Sequence, residues 1–454
     1  MKSNVQSLNK METQPIPSIL LKMSLPLMLS MIFEAFYNII DSLFIARVSE
    51  NALTAISLAF PIQLLAISIS VGTGVGINAA LSKFLGQKEH KKANDIAINS
   101  IFLFLITYFI FFIFGMFFTR KFYSVQTNNE EILKLGVQYL SICMIFSFGS
   151  IGQITFQKIL QSSGLMTLSM LSQLTGSIIN IVLDPILIFG YFGLPKMGVS
   201  GAAIATVIGQ IVAMIIAILL NHKKNHDIQF KVKHFKPNLQ MIKEIYIVGG
   251  PAIIMQTLNS LMAFGVNNII IGISTTAVAT FGIYLKVQNF VFMPAFGINN
   301  GIIVLTAFNY GAQKKHRINQ ILKYGYIYSG TILILGTILF HIFSANIFNL
   351  FKASNQMLSI GIPQIRIISL SYIFVSYTLI SQGFYQGLGN GVYSLIISAM
   401  RVIILLLPIL YLLTKITQIN NIWWAFVIAE GGSAIIATYL LKKIYRQKVT
   451  PMKS

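Results

Sequence analysis

Polar residues in this chain are gathered into short segments between long apolar blocks, and the blocks are apolar on every face. Residues 101–118, "IFLFLITYFIFFIFGMFF", show neither alternation nor a single helical stripe. A helix needs roughly 20 residues to cross a hydrocarbon core about 30 Å thick. Twelve blocks reach that length, at 24–46, 53–82, 96–118, 137–160, 165–191, 198–220, 245–272, 276–308, 324–349, 358–385, 394–414 and 422–441. A membrane β-barrel would alternate apolar and polar residues in segments of about ten, and these blocks do not. The pattern predicts an all-α integral membrane protein with twelve transmembrane helices. The polar sequence before the first block has no small-residue cleavage pattern, so that block is expected to remain as a helix.

The blocks repeat. At one offset of 225 residues Pro26 matches Pro251, Ala52 matches Ala277, Gln63 matches Gln288, Gly76 matches Gly301 and Gly86 matches Gly311. Asn94 and Asn319, Gln157 and Gln382, Gln161 and Gln386, and Gly164 and Gly389 follow the same rule. Each copy holds six spans, so both start from the same membrane face, and a pseudo-two-fold axis along the membrane normal relates two six-helix lobes. The expected organisation is a lobe over 1–220, a basic cytoplasmic linker over 221–244, and a second lobe over 245–454. Two similar bundles facing a central cleft suit alternating access.

Composition agrees: 55% of residues are hydrophobic and 10% charged, against about 25% charged in soluble domains. The net charge of +21 would suggest nucleic acid were it not so unevenly placed. With the N-terminus in the cytoplasm, the segments on that side carry 22 Lys and Arg, and the opposite loops carry seven. The positive-inside rule therefore predicts a multi-pass protein of the bacterial cytoplasmic (inner) membrane with both termini cytoplasmic. The charge contacts anionic membrane lipids, with no nucleic acid partner. Cys143 is the single cysteine, which excludes an internal disulfide and a cysteine-rich metal site. His90, His222, His226, His234 and His316 fall in basic loops and read as solvated residues.

Charged side chains inside the spans are the candidates for function, because each costs at least about 2.5–3.5 kcal/mol at the bilayer centre. Apart from Lys158, placed near a membrane face, they are Glu34, Asp41, Asp184, Lys286, Arg366, Arg401 and Glu430. Glu34 and Asp41 stand seven residues apart on one helix face with Asn38 between them. Asn180 and Asp184 share a face four residues apart, and Pro185 frees the Ile181 carbonyl. Such oxygen ligands suit a proton or an alkali cation. The competing reading is a structural ion pair with Lys286, Arg366 or Arg401. It is favoured for Glu430 and disfavoured for Asp41 and Asp184, whose half offers only Lys158 as an in-span base, placed near a membrane face. Lys286 stands where the first half has Pro61, as a counter-ion or a gate.

Three stretches, "LPLMLSMIFEAFYNIIDSLFIA", "GVGINAALSKFLGQKEHKKAN" and "INIVLDPILIFGYFGLPKMGVSGAAIATVIGQ", resemble the multidrug and toxic compound extrusion (MATE) transporters, in particular their bacterial DinF/MepA-like branch. The resemblance covers essentially the whole chain. It implies an antiporter in which an acidic cluster of the N-terminal lobe couples inward flow of protons or sodium ions to export of organic cations or drugs. By motif position that cluster is Asp41 in "YNIID", Asn180 and Asp184 in "NIVLDP", and Thr206 in "GAAIAT". Tyr37 and Asn38 flank Asp41 on the same wall, and Glu34 is an addition to the family pattern. A sodium ion, if it is the coupling ion, is expected on Asp41, Asn180 and Asp184. Other branches carry coupling acids in the second lobe, but its spans 245–272 and 358–385 here offer Gln256, Asn259, Asn267, Asn268, Tyr372 and Tyr377, with no carboxylate.

Phe36, Phe60, Met262, Phe290 and Met293 are candidates for an adaptable apolar lining with cation–π contacts, and Gln256, Asn259, Lys286 and Tyr372 for its polar positions. Each apolar residue taken singly also fits ordinary helix packing. The expected partners are small organic cations and membrane lipids, for a monomer with no cofactor beyond the coupling ion. A flippase for lipid-linked sugars is the alternative, with Lys286, Arg366 and Arg401 holding pyrophosphate. No His-Glu metal motif, nucleophile elbow or phosphate loop argues for an enzyme.

Overall fold

The computed structural model describes residues 6–230 and 236–452. His234, Lys2, Lys231, Lys233 and Lys453 of the charge pattern lie outside the described residues. Among the described residues, ten helices are long and apolar enough to cross a membrane, and two bent helix pairs bring the number to twelve if each pair is one span.

A short helix α1 (Gln6–Thr13) precedes α2 (Ile16–Ala46), α3 (Glu50–Gly86) and α4 (His90–Phe117). After the short α5 (Thr119–Ser124), the fourth span is broken into α6 (Glu130–Ile145) and α7 (Phe148–Ser162) with a 40° bend. Then come α8 (Met166–Phe189) and α9 (Val199–Lys224). The second half repeats this order. Helices α10 (Leu239–Ile271), α11 (Thr275–Gly311) and α12 (Lys315–Leu350) are followed by a span broken into α13 (Asn355–Ser369) and α14 (Tyr372–Gly387), bent by 47°. Helix α15 (Gly391–Ala399) passes through π-helical turns at Met400–Leu406 into α16 (Leu407–Ile416), and α17 (Trp424–Ile444) ends the set.

The repeat extends to backbone detail. Ser49 and Ser274, 225 residues apart, cap α3 and α11 by accepting from the amides of Ala52 (3.0 Å) and Ala277 (3.2 Å). Lys88 and Gln313 both adopt positive φ (61° and 57°), as do Gly164 and Gly389 (77° and 72°). Both breaks fall in serine-containing turns. Ser150 Oγ donates to the Ser147 carbonyl at 3.0 Å, and Ser371 Oγ to that of Ile368 at 2.6 Å, satisfying groups that the interrupted ladder releases.

Two compact units result, one of Met1–Leu8 with Leu29–Tyr246, the other of Asn9–Met28 with Ile247–Ser454. The boundary differs from the expected 1–220 and 245–454 in two places. The linker packs with the first unit: the amides of Gln229 and Asn238 donate to Asn94 and Asn99 at 2.8 and 2.9 Å, and Lys83 pairs with Glu244 at 3.2 Å. The start of α2 belongs to the second unit, where glycines of α11 admit it. A side-chain carbon at Gly297 would sit 2.9 Å from the Met28 nitrogen, and one at Gly301 would sit 2.7 Å from Ser24 Oγ. Arg317 holds the preceding segment by donating to the carbonyls of Met11 and Gln14 at 2.9 Å each.

Candidate functional site

The best-defined polar cluster lies in the first unit, where α2, α8 and α9 meet. Helix α8 stops at Gly190, whose left-handed backbone (φ 78°, ψ 41°) leaves no room for a side chain, since a carbon there would lie 2.7 Å from the Leu194 carbonyl oxygen. The Met197 and Gly198 amides then donate to the carbonyls of Leu187 (3.0 Å) and Ile188 (3.1 Å), turning α9 back along α8. Small residues set the approach of the two helices. A side-chain carbon at Gly176 would stand 2.7 Å from the Gly209 carbonyl oxygen, and one at Gly209 would stand 2.7 Å from that of Gly176. The contact brings Asn180 on α8 to Thr206 on α9.

Asn180 is buried, and Asp184 is fully buried. The Asn180 amide donates to Asp184 Oδ1 and to Thr206 Oγ1, both at 3.3 Å. The carboxyl groups of Asp41 and Asp184 lie within hydrogen-bonding reach of each other. Two ionised carboxylates at that range repel, and such pairs are held by sharing a proton or a cation. Three buried acceptors at this point, Asp41 Oδ1, Asn180 Oδ1 and Asp184 Oδ2, receive no hydrogen bond. Unfilled buried acceptors cost about 1–3 kcal/mol each, so the cluster as it stands is short of donors or positive charge. The ligand set predicted at Asp41, Asn180, Asp184 and Thr206 is therefore brought together.

The other predicted members divide. Tyr37 interacts electrostatically with Glu34, Asp41 and Asp184, spanning the stripe of α2. Glu34 faces Lys158 of α7, whose stem crosses Gly74 of α3; a side-chain carbon there would lie 2.8 Å from Lys158 Cγ. Lys158 thus addresses the acid outside the family pattern. Asn38 is exposed and donates to the Glu34 carbonyl of its own helix at 2.9 Å. Sequence reasoning missed Tyr139 and Gln63, linked by a 3.3 Å hydrogen bond, with Asp41 within electrostatic range of Tyr139. Gln63 had appeared only as a repeat match.

In the second unit, Phe36's counterparts among the lining candidates behave differently from one another. Met262, Gln256, Phe290 and Met293 are half-buried, while Asn259 and Lys286 are exposed, as are Phe36 and Phe60 of the first unit. Tyr372 is a correction: it is fully buried in the core, packed on Phe292 and Phe340 and donating to the Tyr284 hydroxyl at 3.4 Å, so it is a packing residue. Glu430 is paired as expected, with Arg401 Nη1 at 3.3 Å from its Oε1. Arg366 donates to Ser344 Oγ at 3.1 Å.

The MatE family profile matches residues 26–186 and 251–412, one stretch in each repeat. The chain belongs to the MatE family. Among curated relatives, it is 26% identical over 444 residues to the multidrug export protein MepA of Staphylococcus haemolyticus strain JCSC1435, covering 98% of this chain and 97% of that one. Its fold matches a solved outward-facing MATE family multidrug resistance transporter of the MOP superfamily, with a TM-score of 0.91 at 23% identity over 98% of this chain and 99% of that chain. It also matches a MOP superfamily transporter from Pyrococcus furiosus, with a TM-score of 0.90 at 22% identity over 100% and 99% of the two chains. That protein is described as having a binding pocket of reverse polarity that suggests a different function.

Proposed function

We propose that this MatE protein exports amphipathic organic cations and drugs by alternating access, in exchange for protons or sodium ions entering down their gradient. The observation that carries the reading is the pair of neighbouring carboxyl groups, Asp41 and Asp184, with three unfilled buried acceptor oxygens between them and Asn180. An anionic site in apolar surroundings attracts a lipophilic cation. The coupling ion neutralises the same site and so disfavours the cation. Ion and substrate thus compete for one charge, and the inward step of the ion gains about 2.3 kcal/mol per charge per 100 mV of membrane potential. A ligand shifts the access equilibrium only by its differential affinity for the two states, and occupancy of Asp41 and Asp184 provides that difference.

The flippase alternative needs a cluster of free bases, and two of its three candidates are engaged, Arg401 with Glu430 and Arg366 with Ser344, while Lys286 is exposed. The test is transport of a fluorescent organic cation in proteoliposomes with sodium and proton gradients imposed separately. One of the two gradients should drive uptake. Transport indifferent to both would refute the coupled mechanism.

A further inference from the structure

The second unit holds a polar network, buried at Glu430, that the coupling mechanism does not use. Arg401 Nη1 lies 3.3 Å from Glu430 Oε1, and Arg401 Nη2 donates to Asn259 Oδ1 at 3.2 Å. Tyr284 lies within electrostatic range of Glu430 and accepts a hydrogen bond from Tyr372. Glu430 is 8% exposed, and its Oε2 and the Nε of Arg401 are buried without partners.

The place of this network in the repeat gives it meaning. Asn259 stands 225 residues after Glu34, on the helix equivalent to α2. Arg401 lies on the span that follows Gly389 as α8 follows Gly164, and Glu430 lies on α17, the equivalent of α9. The three helices that build the ion site in the first repeat thus build the network in the second. There one acid remains, and a guanidinium stands against it. Arg401 reaches this position from the π-helical turns Met400–Leu406, which precede Pro408, a residue with no amide hydrogen to donate. Arginine keeps its charge at every accessible pH and is weakly hydrated, which suits it to a buried pairing.

We propose that Arg401 is a tethered cation occupying, in the second repeat, the place that the coupling ion takes in the first. It limits the chain to one ion site and so sets the number of ions moved per cycle. Replacing the guanidinium by a neutral group opens a second site for a proton or a monovalent cation on Glu430 and Asn259. The proposal takes its account of the first repeat from the coupling reading, but its test does not.

The test counts bound ions on the purified full-length protein in an Asp184→Asn background, where the first site is disabled. Radioactive sodium bound per chain and protons taken up on a step in pH are measured in parallel. Adding Arg401→Gln should raise one of the two counts by one ion per chain, whereas adding Arg401→Lys should raise neither. Adding Glu430→Gln to Arg401→Gln should remove the extra ion. A folded Arg401→Gln protein with no extra sodium ion or proton would overturn the proposal. A failure of the first-repeat reading would appear separately, as equal counts in wild type and Asp184→Asn. If Arg401→Gln does not fold, infrared difference spectra on addition of sodium or a step in pH decide, using Glu430→Gln alone. The proposal requires those spectra to match wild type, and a carboxyl band present in wild type but missing from Glu430→Gln would overturn it.

Discussion

Gly209→Ala tests whether the close approach of α8 and α9 builds the ion site. The added carbon would stand 2.7 Å from the Gly176 carbonyl oxygen and 3.2 Å from Asn180 Cβ. A comfortable carbon–oxygen separation begins near 3.3 Å, so the helices must part by about 0.6 Å. The bond from Asn180 to Thr206, already 3.3 Å long, would be lost. A hydrogen bond contributes about 0.5–1.5 kcal/mol net, which corresponds to a loss of roughly two- to twelvefold in ion affinity at about 1.4 kcal/mol per tenfold. The assay is the ion-concentration dependence of transport in proteoliposomes. Gly282→Ala serves as the control, because a carbon there meets nothing within 4 Å, and it should leave ion dependence unchanged. Wild-type ion dependence in a folded Gly209→Ala protein would refute the claim that this contact sets the site's geometry.

Tyr139→Phe removes the acceptor of Gln63, within electrostatic range of Asp41, and should weaken apparent ion affinity by about two- to tenfold, measured in the same assay; an unchanged affinity would remove Tyr139 from the site. Gln256→Ala and Asn259→Ala should leave ion dependence unchanged and at most alter the ranking of substrates, which competition between fluorescent cations would reveal. Helix α2 is expected to bend when Asp41 is neutralised, with Pro26 permitting the movement. The movement is read by a spin label at the exposed Arg47, paired with one at Ser200 on α9. Changing pH or sodium concentration should shift the distance distribution in wild type and not in Asp41→Asn, and a single fixed distance in active wild type would exclude bending as the coupling step.

Much of this architecture was legible because burial in lipid leaves a one-dimensional signal. Long apolar runs gave the spans, and the 225-residue repeat reappeared even in the matching caps and positive-φ positions. The breaks at residues 146–147 and 370–371 were not legible, since serines such as Ser147 and Ser371 also occur at packed interfaces of unbroken membrane helices and neither break contains proline. Asp41 and Asp184 were conspicuous because carboxylates are costly in hydrocarbon. Tyr139 was hidden because an aromatic ring with a polar tip is compatible with packing and with a site, and only its long-range neighbours decide. The same ambiguity, resolved the other way, explains Tyr372. The attachment of Asn9–Met28 to the second unit was likewise invisible, because it depends on which glycines of a distant helix face α2.

The central claim is that Asp41 and Asp184 together hold the coupling ion, and ion-driven transport by Asp41→Asn and Asp184→Asn tests it most directly. Each change keeps the shape of the side chain and removes the charge that a cation or proton neutralises. Both variants should purify as monodisperse protein and insert into liposomes. In both, an imposed sodium or proton gradient should fail to drive movement of a fluorescent organic cation that wild type transports. Gradient-driven transport at the wild-type rate in either variant would contradict the account.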